Sequence, residues 1–204
     1  MVGAFSAILG VFNTLGTVID EISSKFGFNS DDSSVYGAAF IAGGLIGSIV
    51  VGVFLEITKK FRVASIIIGI SSFCSSLAMA LTYPLEESWV TTLFAAIVGL
   101  TMVPFLPLSF EYACELTFPI GEAMSGGLLM SSGQITGIIF IYVTTAFLDK
   151  YPNSHTGAMI SLMIMNGYLL FGVICIAFIK EDLRRFNLDK MDLKRDDAPS
   201  EESH

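Results

Sequence analysis

A chain of 204 residues that is 53% apolar and only 15% charged, with a mean hydropathy of +0.71, departs from the roughly 45–50% apolar and about 25% charged make-up of water-soluble domains. Its net charge of −8 and the lack of a basic face argue against nucleic acid as a partner, because phosphate binding rewards clustered Lys and Arg. Charge crowds into the tail from Lys180 to His204, and the nearly charge-free body reads as lipid-embedded.

A hydrocarbon core about 30 Å thick needs roughly 20 apolar residues in a helix, and six segments meet that length. The expected fold class is therefore an all-α membrane protein, since lipid leaves open backbone groups without partners. Residues 1–183 form the expected six-span half-bundle, and residues 184–204 a charged tail expected to be disordered. The amino end lacks a charged leader and a small-residue cleavage site, so no removable signal peptide is expected.

The first span, Val2 to Ile19, sets Ser6, Gly10, Asn13 and Thr17 on one helical stripe, along which an aqueous pathway would run. Asp20 and Glu21 follow as interface charges, in an expected loop over residues 20–35. The second span, Tyr36 to Ile57, repeats small residues every four positions: Ala39, Gly43 and Gly47, then Gly44, Ser48 and Gly52. Such faces let helix backbones approach closely. Lys59, Lys60 and Arg62 fill the next loop. The third span covers Val63 to Leu81.

The fourth span, Trp89 to Phe110, carries Pro104 and Pro107, whose missing amides and ring clashes loosen a helix locally. Glu111 and Glu115 share a helix face at its end, on the same side of the membrane as the Lys59–Arg62 loop. A charge cluster tying loop to helix is one reading, and proton coupling is the other. The fifth span, Ala123 to Leu148, repeats the small-residue device with Gly126, Gly133 and Gly137. Gln134 sits in its middle. For Gln134 and Asn13, interhelical hydrogen bonding and substrate contact both remain open. The sixth span runs from Ala158 to Ile179.

Every Lys and Arg except Lys25 and Lys150 falls on one side of this arrangement, so the positive-inside rule puts both termini in the cytosol. The expected location is the plasma membrane, an organelle membrane being the alternative. Cys74, Cys114 and Cys175 show no metal or redox spacing and read as buried thiols. With His155 in a loop and His204 terminal, no membrane-embedded imidazole offers a base or a metal ligand. Neither enzyme activity nor a cofactor is expected.

The stretch from Pro104 to Ile139, PFLPLSFEYACELTFPIGEAMSGGLLMSSGQITGII, resembles the second half of the major facilitator transporters related to the feline leukaemia virus subgroup C receptor. Phe110, Glu111, Ala113, Glu115, Thr117, Pro119, Ser125, Gly127, Leu128, Leu129 and Gln134 fit that family's pattern. Gly3, Ala4, Phe5 and Asn13 resemble the start of its seventh helix, Gly52 to Lys59 its eighth-to-ninth loop, and Ile179 to Asn187 the close of its twelfth helix.

The resemblance implies a choline or ethanolamine transporter, or a haem exporter in an older reading of the family. It also implies a partner, because a complete major facilitator has two six-helix halves with the substrate between them and this chain supplies the second. The missing amino-terminal half would be part of the same longer chain or another subunit. A non-transporting structural subunit is the further alternative. The implied ligand is a small amine cation, contacted by Gln134, Asn13 and Ser6, with Phe5 or Phe12 offering a ring face. Ser6 stands where the family has an aromatic residue. Glu111, Glu115, Lys59, Lys60 and Arg62 are the candidate gating residues.

Overall fold

A computed structural model describes residues 1–58, 60–85, 87–117, 121–151 and 155–178. Seven α-helices account for nearly all of them: α1 (Val2–Ser24), α2 (Ser30–Thr58), α3 (Phe61–Thr82), α4 (Ser88–Met102), α5 (Phe105–Thr117), α6 (Glu122–Lys150) and α7 (His155–Ala177), with a 3-10 turn at Tyr83–Leu85. Among the described residues, six stretches are long and apolar enough to cross a membrane, α4 and α5 counting together as one. The protein is a multi-pass helical membrane protein. Lys59 and the charged tail lie outside the described residues.

Each of the six spans expected from apolar runs is present, but the helices overrun them. The loop expected over residues 20–35 shrinks to 25–29, because α1 continues to Ser24 and α2 already begins at Ser30. Hydropathy marks the hydrocarbon core and not the helix end. Beyond it, Asn29 N–H donates to Asp32 Oδ2 (3.3 Å) and Ser33 Oγ to the Asn29 carbonyl (3.3 Å), while Asp31 and Asp32 suit the positive start of α2. Gly27 turns the chain at φ +84°, a conformation only glycine takes without strain. The fourth span likewise runs past Phe110 to Thr117 and breaks at Val103–Pro104 into α4 and α5, where proline cannot donate to the preceding turn.

Packing follows an inverted repeat of two three-helix units. α1 packs mainly on α6 and α7, and α4 mainly on α2 and α3, while α3 and α7 pack together behind them. The helices α1 and α4–α5 run in opposite directions through the bundle, as nested inverted repeats in transporters require. The small residues expected to serve packing do so. A Cβ at Gly43 would strike the Ala96 carbonyl, one at Gly47 the Leu100 carbonyl, and one at Gly99 of α4 the Phe40 carbonyl. Gly52, the last of the series, meets nothing within 4 Å. The expectation of buried thiols holds only in part: Cys114 and Cys175 are half-buried, and Cys74 points outward from α3.

Candidate functional site

α1 is the most enclosed helix of the bundle: from Ala4 to Val11 every residue is buried. Its exposed strip begins at Asn13 and continues through Gly16, Thr17 and Asp20, residues that recur at helical spacing on one face. α2 flanks this strip on one side and α6 on the other. The expected stripe of Ser6, Gly10, Asn13 and Thr17 is thus divided. Ser6 is buried, donating to the Gly3 carbonyl (3.0 Å) and sharing a 3.2 Å hydrogen bond with Tyr168 of α7. Gly10 lies under Thr136, whose Oγ1 would be 2.8 Å from an added Cβ. Asn13 and Thr17 reach the surface.

Asn13 Nδ2 donates to Gln134 Oε1 at 3.1 Å. The two residues, 121 apart in the chain, meet near the middle of α1 and of α6. Gly137 makes room for Asn13, since a Cβ there would lie 3.2 Å from the Asn13 Cβ. Gln134 is exposed and Asn13 half-buried. Each amide keeps donor and acceptor capacity beyond this one bond. An amide pair at mid-depth is costly against lipid tails but suits a wet cavity or a protein partner. The neighbouring surface of α2, with Ile41, Leu45, Ile46, Ile49, Val50 and Val53 all exposed, has the composition that lipid requires.

The two candidate phenylalanines behave differently. Phe5 is wholly buried, with its ring centroid 5.5 Å from that of Phe110 on α5. Phe12 is half-buried and lies 5.4 Å from Phe40 of α2, the rings inclined by 34°. Phe12, Leu15, Gly16 and Ile19 of α1, with Gly37, Phe40 and Ile41 of α2 and Met79 of α3, line an apolar crevice of about 170 Å³. A second crevice of about 150 Å³ lies between α5 (Ala113, Leu116, Thr117) and α6 (Met124, Ser125, Leu128, Leu129), closed by Met1 and Val2. The two crevices sit toward opposite ends of the bundle. Phe40 and the α1–α2 crevice were not singled out in the sequence, where an aromatic on an apolar helix looks like any lipid-facing residue.

Among the gating candidates, Glu111 is exposed and Glu115 half-buried one turn along α5. Lys60 is exposed. Arg62 donates from Nη2 to the Ala177 carbonyl at 3.3 Å, placing a cation at the negative end of α7. Lys59 lies outside the described residues. Glu111, Glu115, Lys60 and Arg62 are not brought into one cluster with Gln134: they occupy the end of the bundle, and the amide pair its middle.

Comparison with known proteins places this arrangement. No protein-family model matches the chain. A choline/ethanolamine transporter of Danio rerio, flvcr2a, is 32% identical over 184 residues, 90% of this chain and 37% of that protein. The choline/ethanolamine transporter FLVCR1 of Mus terricolor is 30% identical over 91% of this chain and 33% of its own length. An uncharacterised transporter of the major facilitator type from Caenorhabditis elegans, C09D4.1, is 33% identical over 86% of this chain and 29% of its own length. The chain therefore spans about a third of the length of the curated relatives it matches.

Proposed function

Because the chain belongs to the family of choline/ethanolamine transporters related to the feline leukaemia virus subgroup C receptor, within the major facilitator superfamily, we propose that it forms the carboxy-terminal half of a carrier for small amine cations. Transport proceeds by alternating access, the substrate passing between this half and an amino-terminal six-helix half. In this reading the carrier sits in the plasma membrane with loop 25–29 outside and both termini in the cytosol, a sidedness in keeping with the Lys and Arg distribution.

The observation that carries this reading is the Asn13–Gln134 pair, exposed at mid-depth on the strip of α1 framed by α2 and α6. A substrate hydroxyl or primary ammonium finds amide oxygens there, and the remaining N–H groups can hold a water or a hydroxyl oxygen. Ser6 acts from behind, holding α1 to Tyr168. Phe5 supports the wall through Phe110. Phe12 offers the accessible ring. Glu111, Glu115, Lys59, Lys60 and Arg62 close the cytosolic end when the carrier opens outward.

The test is uptake of radiolabelled choline and ethanolamine by the chain joined to its native amino-terminal half. Gln134→Ala removes one charge-assisted or hydroxyl contact, so affinity for both amines falls by about 10- to 100-fold. Wild-type uptake that is robust and indifferent to Gln134→Ala refutes the assignment of the pair.

A further inference from the structure

The Asn13–Gln134 bond joins side chains of two separate helices, so it depends on how far α6 stands along α1. Glycine notches bring the two helices together: an added Cβ at Gly133 would strike the Leu9 side chain, and one at Gly137 would lie 3.2 Å from the Asn13 Cβ. Such notches set the spacing of the helices and not their register, because a side chain that walls a notch can change rotamer. Register matters here. A slip of one residue, about 1.5 Å along the axis, takes a bond of 3.1 Å to the edge of hydrogen-bonding range or beyond it.

A hydroxyl supplies the register. Thr136 stands half-buried between Gln134 and Gly137 on α6, and its Oγ1 donates across to the Ser6 carbonyl of α1 at 3.0 Å. That carbonyl belongs to a fixed post, since Ser6 is buried and its own hydroxyl is engaged by the Gly3 carbonyl at 3.0 Å and by Tyr168 at 3.2 Å. Gly10, one turn along α1 from Ser6, lets Thr136 approach: a Cβ there would lie 2.8 Å from Thr136 Oγ1 and 3.2 Å from its Cβ. A carbonyl oxygen has two lone pairs, so the Ser6 carbonyl takes the hydroxyl without giving up its helical partner. The carbonyls of Ser132 and Gly133 are also within reach of the hydroxyl, at 3.0 and 2.9 Å. One hydrogen serves all three. Removing it therefore costs the fold little, and the consequence falls on the alignment of α6 with α1.

We propose that Thr136 is a positioning residue of the amine site, its hydroxyl fixing α6 against the Ser6 carbonyl so that Gln134 Oε1 stays within reach of the Asn13 amide. This role rests on the reading of the Asn13–Gln134 pair as a substrate contact and adds what holds the pair in register. Thr136 touches no substrate and acts through Gln134. Ser6 serves the same end from α1, tied to α7 by its side chain and to α6 by its backbone.

Two measurements test it. In the complete carrier, Thr136→Val, which keeps the branched shape and loses the hydroxyl, raises KM for choline and ethanolamine by about 3- to 10-fold, while maximal uptake per carrier at the cell surface stays within about 2-fold. Thr136→Ser restores KM, and in a Gln134→Ala background Thr136→Val has no further effect, because the group through which it acts is gone. An unchanged KM, no rescue by Ser, or an equal effect in the Gln134→Ala background overturns the role and leaves the carrier reading intact. A wild type that transports neither amine defeats the carrier reading, and register is then measured without transport. With Cys74, Cys114 and Cys175 replaced by Ala, Asn13→Cys and Gly137→Cys place two Cβ atoms close to the 3.5–4.5 Å separation of a disulfide. Thr136→Val slows formation of that disulfide under a mild oxidant by at least about 3-fold if the hydroxyl sets the register, and an equal rate with Thr and Val overturns the role.

Discussion

The α2–α4 and α1–α6 interfaces are counterparts in the inverted repeat, yet they are built from different contacts. Between α2 and α4, glycine faces backbone: Gly43 against Ala96, Gly47 against Leu100, and Gly99 against Phe40. Between α1 and α6, glycine faces side chain: Gly133 against Leu9, Gly137 against Asn13, and Gly10 against Thr136. The second interface also carries polar bonds, from Thr136 Oγ1 to the Ser6 carbonyl at 3.0 Å and from Asn13 to Gln134. A carbonyl fixed in a helix cannot yield to an intruding atom, whereas a side chain can change rotamer. The first interface is therefore a rigid seam, and the second an adjustable one with its polar groups turned toward the exposed face.

Substitutions that probe this contrast should rank by how little the opposing atom can move. Gly99→Leu forces the α2 and α4 backbones apart and should cost about 3 kcal/mol or more, seen as loss of folded protein in detergent thermal melts. Gly10→Ala pushes chiefly on the Thr136 side chain, with Oγ1 at 2.8 Å and Cβ at 3.2 Å from the added carbon, and a destabilisation of about 1 kcal/mol is expected in the same assay. An equal loss at both positions would erase the distinction between the seams. Asn13→Ala sharpens it from the functional side: stability should fall by about 0.6 kcal/mol, the typical worth of a hydrogen bond between membrane helices, while amine uptake falls by about tenfold or more. Gly52→Ala, with open space around it, should stay within about 0.5 kcal/mol of the parent.

Legibility in the sequence follows the range of the interaction concerned. Apolar length located all six spans, and Pro104 announced the break between α4 and α5. The small-residue repeats identified Gly43 and Gly47 as contact residues but could not exclude Gly52 from the series, since only the partner helix decides where the contact ends. Residues 20–35 read as a loop in the sequence because polar helix ends carry no hydropathic signal, although α1 runs to Ser24 and α2 begins at Ser30. Asn13 and Gln134 each stood out as polar residues in apolar helices, whereas their pairing depends on α1 and α6 being neighbours. Ser6 shares their stripe on paper, but α1 crosses α7 there and Tyr168 engages it. The crevice of Phe12, Phe40, Gly16 and Gly37 was illegible for the same reason: four ordinary residues on two helices become a pocket only when the helices diverge.

The central claim is that the face bearing Asn13 and Gln134 lines the substrate path and does not meet lipid. Thiol labelling tests it most directly, in the complete carrier with Cys74, Cys114 and Cys175 replaced by Ala and single cysteines introduced as Gln134→Cys and, on the apolar face of α2, Ile46→Cys. A water-soluble, membrane-impermeant thiol reagent should modify the cysteine at 134, should do so more slowly when choline is present, and should leave the cysteine at 46 untouched. Modification at 46 together with an inert cysteine at 134 would contradict the account, because it would put lipid where the substrate path is claimed.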